Sequence, residues 1–350
     1  MDEQVIEQVL NQILKKYTFK CSSPKNTSDG SNAPRKKQYD SLKEAVSDLS
    51  EKYGFTVVKN NKSSFTIHDD RNDVTLDFTS GFINSGWNPL DYHNNNPKDS
   101  TQVDIEDLFK AYSDLPDALK ENCNLIRFEK KNIDTTDWNG ITELLSKKNK
   151  EGLVVTLPDF LFENATDRYS SNNFMMVMAH ELTHTMDMPH LTRDELDSVQ
   201  RYYGKNRTEG WGEFMDEVSA RDIEVVHKYD NNHISLFDEF SFTYGDYSSA
   251  RAKNTKFQID NGYLDGTKQG ARSKSSDYGG TLAYEDTAEC GAMVACGFRN
   301  PDNPYAKLKL NGKDIQYKDW IKMNPYTAQV MVKRIFGEDV SVDYLLKQGG

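Results

Sequence analysis

Two histidines separated by one helical turn, with a glutamate beside the first, are the residues of this 350-residue chain best suited to chemistry. His180-Glu181-Leu182-Thr183-His184 lies within the apolar run Phe174–Asp187, which reads as helix. On a helix, side chains at i and i+4 are neighbours on one face, so both imidazoles can grip one ion. Neutral imidazole nitrogen suits zinc, and a carboxylate beside zinc-activated water is the general base of a metallohydrolase. Glu181 therefore reads as the base and His180 and His184 as ligands. A catalytic zinc site has three protein ligands and an open fourth position, so the rest of the chain must supply one more.

Three candidates follow the pentapeptide. His190 completes the histidine spacing of the metzincins, but the sharp turn that spacing needs is made by a glycine, and this chain has Asp187 there, with no Met-turn downstream. Glu209, in Thr-Glu-Gly-Trp-Gly-Glu, is similar to the glutamate helix of thermolysin-like gluzincins, with Glu213 as its acidic partner; the same stretch also reads as an amphipathic surface helix. Glu285 and Glu289 form the third option. Their i, i+4 spacing places them on one helix face, so one can hold zinc while the other hydrogen-bonds a ligating histidine and fixes its tautomer. Tyr278, on the loop before them, could donate to the oxyanion of a tetrahedral intermediate. An acidic helix preceded by a packing tyrosine is the plain reading of the same residues.

Rigid elements must carry these side chains, and the chain reads as α+β. Residues 1–37 comprise an N-terminal helix, with Val5, Ile6, Val9, Leu10, Ile13 and Leu14 at helical spacing, and a polar linker. Residues 38–99 read as a small α+β domain: a helix over Leu42–Tyr53 stopped by Gly54, then three short strands over 55–58, 64–68 and 74–78. Residues 100–350 are expected to form the larger domain. It opens with a helix over 103–115 and a strand over 124–128. A helix over 141–148 and the strongest strand signal of the chain, 152–157, follow. That strand is either interior or free to pair with an extended peptide. The metal helix is capped by Ser170 or Ser171 and stopped by Pro189, and Met175, Met178, Ala179, Leu182 and Met186 form its buried stripe. Residues 191–265 read as an insertion, with two helices followed by an aromatic, turn-rich flap or satellite core over 240–263. The Gly/Ser loop 267–276 leads into Tyr278 as a mobile loop or a lid. A final helix is expected over 326–336.

The bulk composition narrows the partners. A formal charge of −12 and a pI near 5.2 argue against nucleic acid, which is met by basic faces. No apolar run of about 18 residues exists, so no membrane-spanning helix is expected. Glu3, Glu7 and Lys15 interrupt the first segment, which is therefore not a secretory signal; a soluble protein is expected, cytoplasmic or exported by a non-classical route. Cys21, Cys123, Cys290 and Cys296 lack CxxC spacing and read as buried thiols. His68, His93, His227 and His233 read as ordinary surface or core histidines.

Asp187 after HExxH, together with Tyr278-Gly-x-Thr281-x3-Glu285-x-x-Ala288-Glu289, resembles the anthrax-lethal-factor-like metallopeptidases and related gluzincin domains. The resemblance covers about 155–190 and 277–297. It implies a zincin-like domain with an active-site helix on a small mixed sheet and one Zn²⁺ per chain. It makes His180, His184 and Glu285 the metal ligands, with Glu289 bonded behind them, Glu181 the base and Tyr278 an assistant to catalysis. The expected activity is endopeptidase cleavage of a protein or peptide. A metallohydrolase acting on a cell-wall amide crosslink, or a non-catalytic interaction protein stabilised by its metal, are the alternatives.

Overall fold

The computed structural model of the chain describes residues 37–85, 87, 89–90, 103–130, 140–144, 153–162, 174–187, 245–268, 271–280 and 283–350. The expected N-terminal helix lies outside them, as do His93, Ser170, Ser171, Pro189, His190, Glu209, Glu213, His227, His233, the helices expected within 191–228 and nearly all of the linker.

Helix α1 (Leu42–Tyr53) has the bounds its pattern predicts. Ser41 accepts the Glu44 N–H at its start, and Gly54 ends it in the left-handed region at φ 77°. Strands β1 (Thr56–Asn60), β2 (Phe65–Asp69) and β3 (Val74–Phe78) follow as an antiparallel meander. Phe65, Ile67, Val74, Leu76 and Phe78 are buried at alternate positions, the period of a sheet with one covered face. Helices α2 (Ser80–Ile83), α3 (Ile105–Asp114) and α4 (Asp117–Lys120) lead to β4 (Cys123–Glu129). Strand β4 pairs parallel with β3 on one side and with β6 (Leu153–Pro158) on the other; β5 (Ile141–Leu144) pairs antiparallel with β6. The result is one six-stranded mixed sheet of order β1-β2-β3-β4-β6-β5.

Two expectations change here, and one open choice closes. The boundary near residue 99 does not separate two sheets, because β3 bonds directly to β4, and Tyr39–Gly350 forms a single unit. Residues Ile141–Leu144 are a strand where local spacing suggested a helix. Register with β6, from Ile141 opposite Thr156 to Leu144 opposite Leu153, outweighs local propensity. Strand β6 is interior with every residue buried; among the described residues the sheet ends at β5 on this side and at β1 on the other.

The core runs from this sheet into the helix that carries the histidines. Phe65, Phe78 and Phe128 stack across β2, β3 and β4 at centroid distances of 4.0 and 4.1 Å. Phe162 continues the row, 5.8 Å from Phe128 and 5.4 Å from Phe174, the first residue of α5 (Phe174–Asp187). Such pairs add about 0.5–1.5 kcal/mol each beyond their burial. Helix α6 (Gly245–Asp260) occupies the stretch where a flap or satellite core was expected. Helix α7 (Ala283–Gly297) crosses α5, and the hairpin β7 (Lys307–Leu310)–β8 (Lys313–Gln316), α8 (Tyr317–Trp320), α9 (Pro325–Phe336) and α10 (Val342–Gln348) complete the fold. Mixed α+β architecture is thus observed. Among the described residues, no helix is long and apolar enough to cross a membrane.

Candidate metal centre

Helix α5 is buried nearly all round. Met175, Met178, Ala179, Leu182 and Met186 pack into the core, as the buried stripe predicts, and Met176 joins them. Thr183 and Thr185 are fully buried and donate to the carbonyls of Ala179 and Leu182, both at 2.8 Å, so neither hydroxyl is stranded. The helix can approach α7 closely because α7 presents Ala288, Gly291, Ala292 and Ala295. A Cβ at Gly291 would lie 2.6 Å from the Thr183 side chain, so only glycine allows this crossing. The crossing sets the histidines of one helix against the carboxylates of the other.

His180 Nε2 lies 3.0 Å from Glu285 Oε2 and 3.1 Å from His184 Nε2, and His184 Nε2 lies 3.4 Å from the same Glu285 oxygen. A tetrahedral ion bound at about 2.0–2.1 Å needs ligand-to-ligand edges of about 3.3 Å. The triangle has those dimensions, and His180, His184 and Glu285 are all buried. This group could hold a metal ion, and no other such group exists among the described residues. On the far side of His180, Nδ1 lies 2.9 Å from Glu289 Oε1. A proton donated there leaves the Nε2 lone pair for the ion, the role that ligand-supporting carboxylates usually take.

Burial alone would lower the His180 pKa, but the carboxylates of Glu285 and Glu289 raise it well above the ordinary value. Burial would likewise raise Glu285, and hydrogen bonds from His180 and His184 hold it well below the carboxylate range. The pocket therefore favours positive charge at the point where the three atoms meet. A proton competes with a metal for that place, since ligating imidazole must be neutral.

Glu181 is buried beside these three residues and touches β5. Thr142 on β5 has its hydroxyl 2.7 Å from Glu181 Oε2 and 3.0 Å from the Glu181 carbonyl. Gly140, just before β5, lies so close that a Cβ there would come within 2.8 Å of Oε1. Burial pushes the Glu181 carboxyl above its ordinary pKa, against the lowering influence of His180, His184 and Thr142. Tyr278 is 47% exposed, unlike the buried ligands, and its ring centroid lies 5.9 Å from that of His180.

The structure brings His180, Glu181, His184, Tyr278, Glu285 and Glu289 together. The rival third ligands His190 and Glu209 lie outside the described residues. Asp187 is the last residue of α5. His68 stands apart on β2, its Nδ1 3.2 Å from Thr75 Oγ1. Cys123, Cys290 and Cys296 are buried free thiols, and burial raises each of them, Cys123 and Cys290 to about 12. Sequence reasoning missed Thr142, Gly140 and Gly291. Only Gly291 left a local signal, as a glycine inside a helical run, where it costs about 1 kcal/mol relative to alanine.

Comparisons of the chain with protein-family models, with curated proteins and with solved structures find no match.

Proposed function

We propose that this protein is a zinc-dependent endopeptidase of gluzincin type, with a zincin-like catalytic domain, His180, His184 and Glu285 as ligands and Glu181 as general base. One observation carries the reading: three ligand atoms from two crossing helices converge at 3.0–3.4 Å while an independent carboxylate, Glu181, is held beside them by β5. A purely structural metal site has no use for that additional carboxylate, which disfavours a non-catalytic interaction protein. The resemblance to lethal-factor-like metallopeptidases assigns the same residues the same roles.

When bound, the ion supplies Lewis acidity that polarises the scissile carbonyl and acidifies water. Glu181 takes the proton of the attacking water and passes it to the leaving amine. Its burial and raised pKa suit that task, because a base works best when its pKa lies near the operating pH. Glu289 holds His180 in the ligating tautomer. Tyr278, exposed beside His180, donates to the oxyanion as the carbonyl becomes tetrahedral. Among the described residues strand β5 is a sheet edge, in contact with the base through Thr142, so a substrate strand laid on it by backbone pairing would bring its scissile bond to Glu181. That arrangement favours an extended peptide over a cell-wall crosslink.

The test combines metal analysis with turnover. Purified protein is expected to take up about one zinc, and Glu181→Gln to keep that zinc while losing hydrolysis of a peptide library by about 10²-fold or more. Hydrolysis by the Gln variant at the wild-type rate would remove Glu181 as base; failure to bind zinc would remove the whole scheme.

A further inference from the structure

The segment that carries Tyr278 is bound on both sides. Ser273 donates its N–H to Thr255 Oγ1 of α6 at 3.0 Å, and Ser275 donates its N–H to Asp286 Oδ1 at 2.6 Å. The Ser275 carbonyl accepts from Trp320 Nε1 at 2.9 Å, and the Gly279 N–H reaches Ser276 Oγ at 2.7 Å. A Cβ at Gly279 would meet the Asp286 Cα at 2.9 Å, so the strap lies directly on α7, next to the ligand Glu285. These contacts fix the strap against α6, α7 and α8. They leave open what joins it to the β7–β8 hairpin.

Asp277 does so. Its carboxylate accepts the Asn311 N–H at Oδ1 and the Gly312 N–H at Oδ2, both at 2.8 Å, and the Lys274 ammonium at 2.7 Å. Its own N–H donates to the Lys309 carbonyl at 2.8 Å. Asn311 and Gly312, at φ 53° and 74°, are the two central residues of the β7–β8 hairpin turn. An Asn-Gly pair is the sequence best able to hold both positions in the left-handed region. Here that geometry presents two adjacent peptide N–H groups to one carboxylate. Burial alone would raise the Asp277 pKa, but Lys274 and the two turn amides hold it below the ordinary value, which agrees with a carboxylate gripped in its charged form.

We infer that Asp277 is a positioning residue for the reaction: clasped by the Asn311–Gly312 turn, it fixes the backbone of Tyr278 so that the phenol stands ready over the metal group. The catalytic half of this inference rests on the zinc-peptidase reading. The clasp itself rests only on the contacts above. The hairpin, which supplies none of the three converging ligand atoms, thereby belongs to the active site's supporting frame, and the stretch entering Tyr278 is a braced strap where a mobile loop or lid was expected. Asp277 suits a test better than Asp286. Its side chain is about one-third exposed, whereas Asp286 is fully buried, bonded to Tyr247 and adjacent to the ligand.

Two measurements on the full chain decide the matter. In metal-free protein, Asp277→Ala and the size-preserving Asp277→Asn are expected to speed amide exchange in 275–280 and 310–313 by about tenfold or more, with α5 unchanged. With zinc and a peptide substrate, Tyr278→Phe is expected to lower kcat by about 10²-fold, the usual loss for one oxyanion donor. Asp277→Ala should lower kcat by about tenfold through misplacement, with KM and zinc content unchanged. Added to Tyr278→Phe, it should lower kcat no further. Unchanged exchange in both Asp277 variants would overturn the clasp, and a loss that adds fully to that of Tyr278→Phe would overturn its action through the phenol. A wild-type protein inactive with zinc would overturn the catalytic half and the peptidase reading together, while the exchange result would still decide the clasp.

Discussion

Around Lys120, each carboxylate oxygen meets a donor. Asp69 accepts from Tyr112 Oη and Asn72 Nδ2 at 2.8 Å and from the Arg71 N–H at 3.2 Å. Asp117 accepts from Asn72 and pairs with Arg71, while the Lys120 ammonium sits 4.0 Å from Asp117 and 4.5 Å over the Tyr112 ring. Around His180 the pattern is reversed. With Nδ1 committed to Glu289, Nε2 of neutral His180 faces the Glu285 carboxylate and lies 3.1 Å from His184 Nε2. In the first group the carboxylate oxygens are satisfied by donors of the network itself, beside the Lys120 ammonium. The second is matched only with a positive charge at its centre: a proton on His180 Nε2, donated to Glu285, or a metal ion in its place. Burial and charge are common to both; the difference lies in whether a place is left that a metal ion can take from a proton. That separates a structural network from a candidate metal centre.

The sharpest way to break the distinction is to remove Glu285. Zinc in large excess over its dissociation constant should stabilise the wild type by about 4 kcal/mol at a thousandfold excess. Glu285→Ala is expected to lose both that stabilisation and the bound metal. Glu209→Ala should keep both. Thermal unfolding with and without zinc reads the first, and metal analysis the second. Retention of one zinc by the Glu285 variant and its loss from the Glu209 variant would move the third ligand to the insertion.

The Lys120 network should answer to protons instead of metal. Burial lowers the Lys120 pKa from 10.5 to about 8, the nearby Asp117 and Asp69 opposing that fall. Below pH 8 the ammonium is charged in both folded and unfolded chains, and folding bears the cost of burying it. Between pH 8 and 10.5 the unfolded chain holds the proton and the folded chain does not, so this contribution to stability rises with pH. The full change is about 3 kcal/mol, at about 1.4 kcal/mol per pH unit between the two pKa values. Lys120→Met lacks the titration. Its stability relative to wild type should therefore be highest below pH 8 and fall by about 3 kcal/mol by pH 10.5, with the response to zinc unaltered. Urea unfolding of both proteins at pH 7 and 10 measures this, and a constant difference would show that Lys120 is not held as described. Comparing the two proteins cancels the opposite trend of the buried thiols.

How much of this was legible in the sequence depended on how local the signal is. His180, Glu181 and His184 fall within one turn, and Glu285 and Glu289 are one turn apart, so helical spacing grouped each set, while the choice of Glu285 over His190 and Glu209 came from the family resemblance. Helix α6 was misread because its buried face is largely polar. Tyr247 donates to Asp286, Asn254 to Thr327 and Gln258 to the Met323 carbonyl, and hydrophobic periodicity is blind to such a face. Strand β5 was misread because its conformation depends on pairing with the following strand β6, and nothing within 141–148 itself records that register. Gly291 was visible as a glycine, yet its purpose, contact with Thr183, belongs to another helix. The ligands were readable; their supports were made by tertiary structure.

The contact from β5 to Glu181 gives the finest version of the comparison, because it is a matched hydrogen bond placed at the edge of the candidate metal centre. Thr142 donates and a carboxylate accepts, as in the Lys120 network, but here the acceptor must stay able to take a proton. Hydrogen bonds to charged groups contribute about 1.5–3 kcal/mol. Much of that supports Glu181 before and during the reaction alike, and only the differential part affects rate. Thr142→Val keeps the shape and removes the donor. It is expected to leave zinc content and KM unchanged and lower kcat by about tenfold, with Thr142→Ser restoring most of the loss. A kcat unchanged in the Val variant would mean that Glu181 holds its place through burial and Gly140 alone; a loss of zinc would mean that β5 supports the ligands as well as the base.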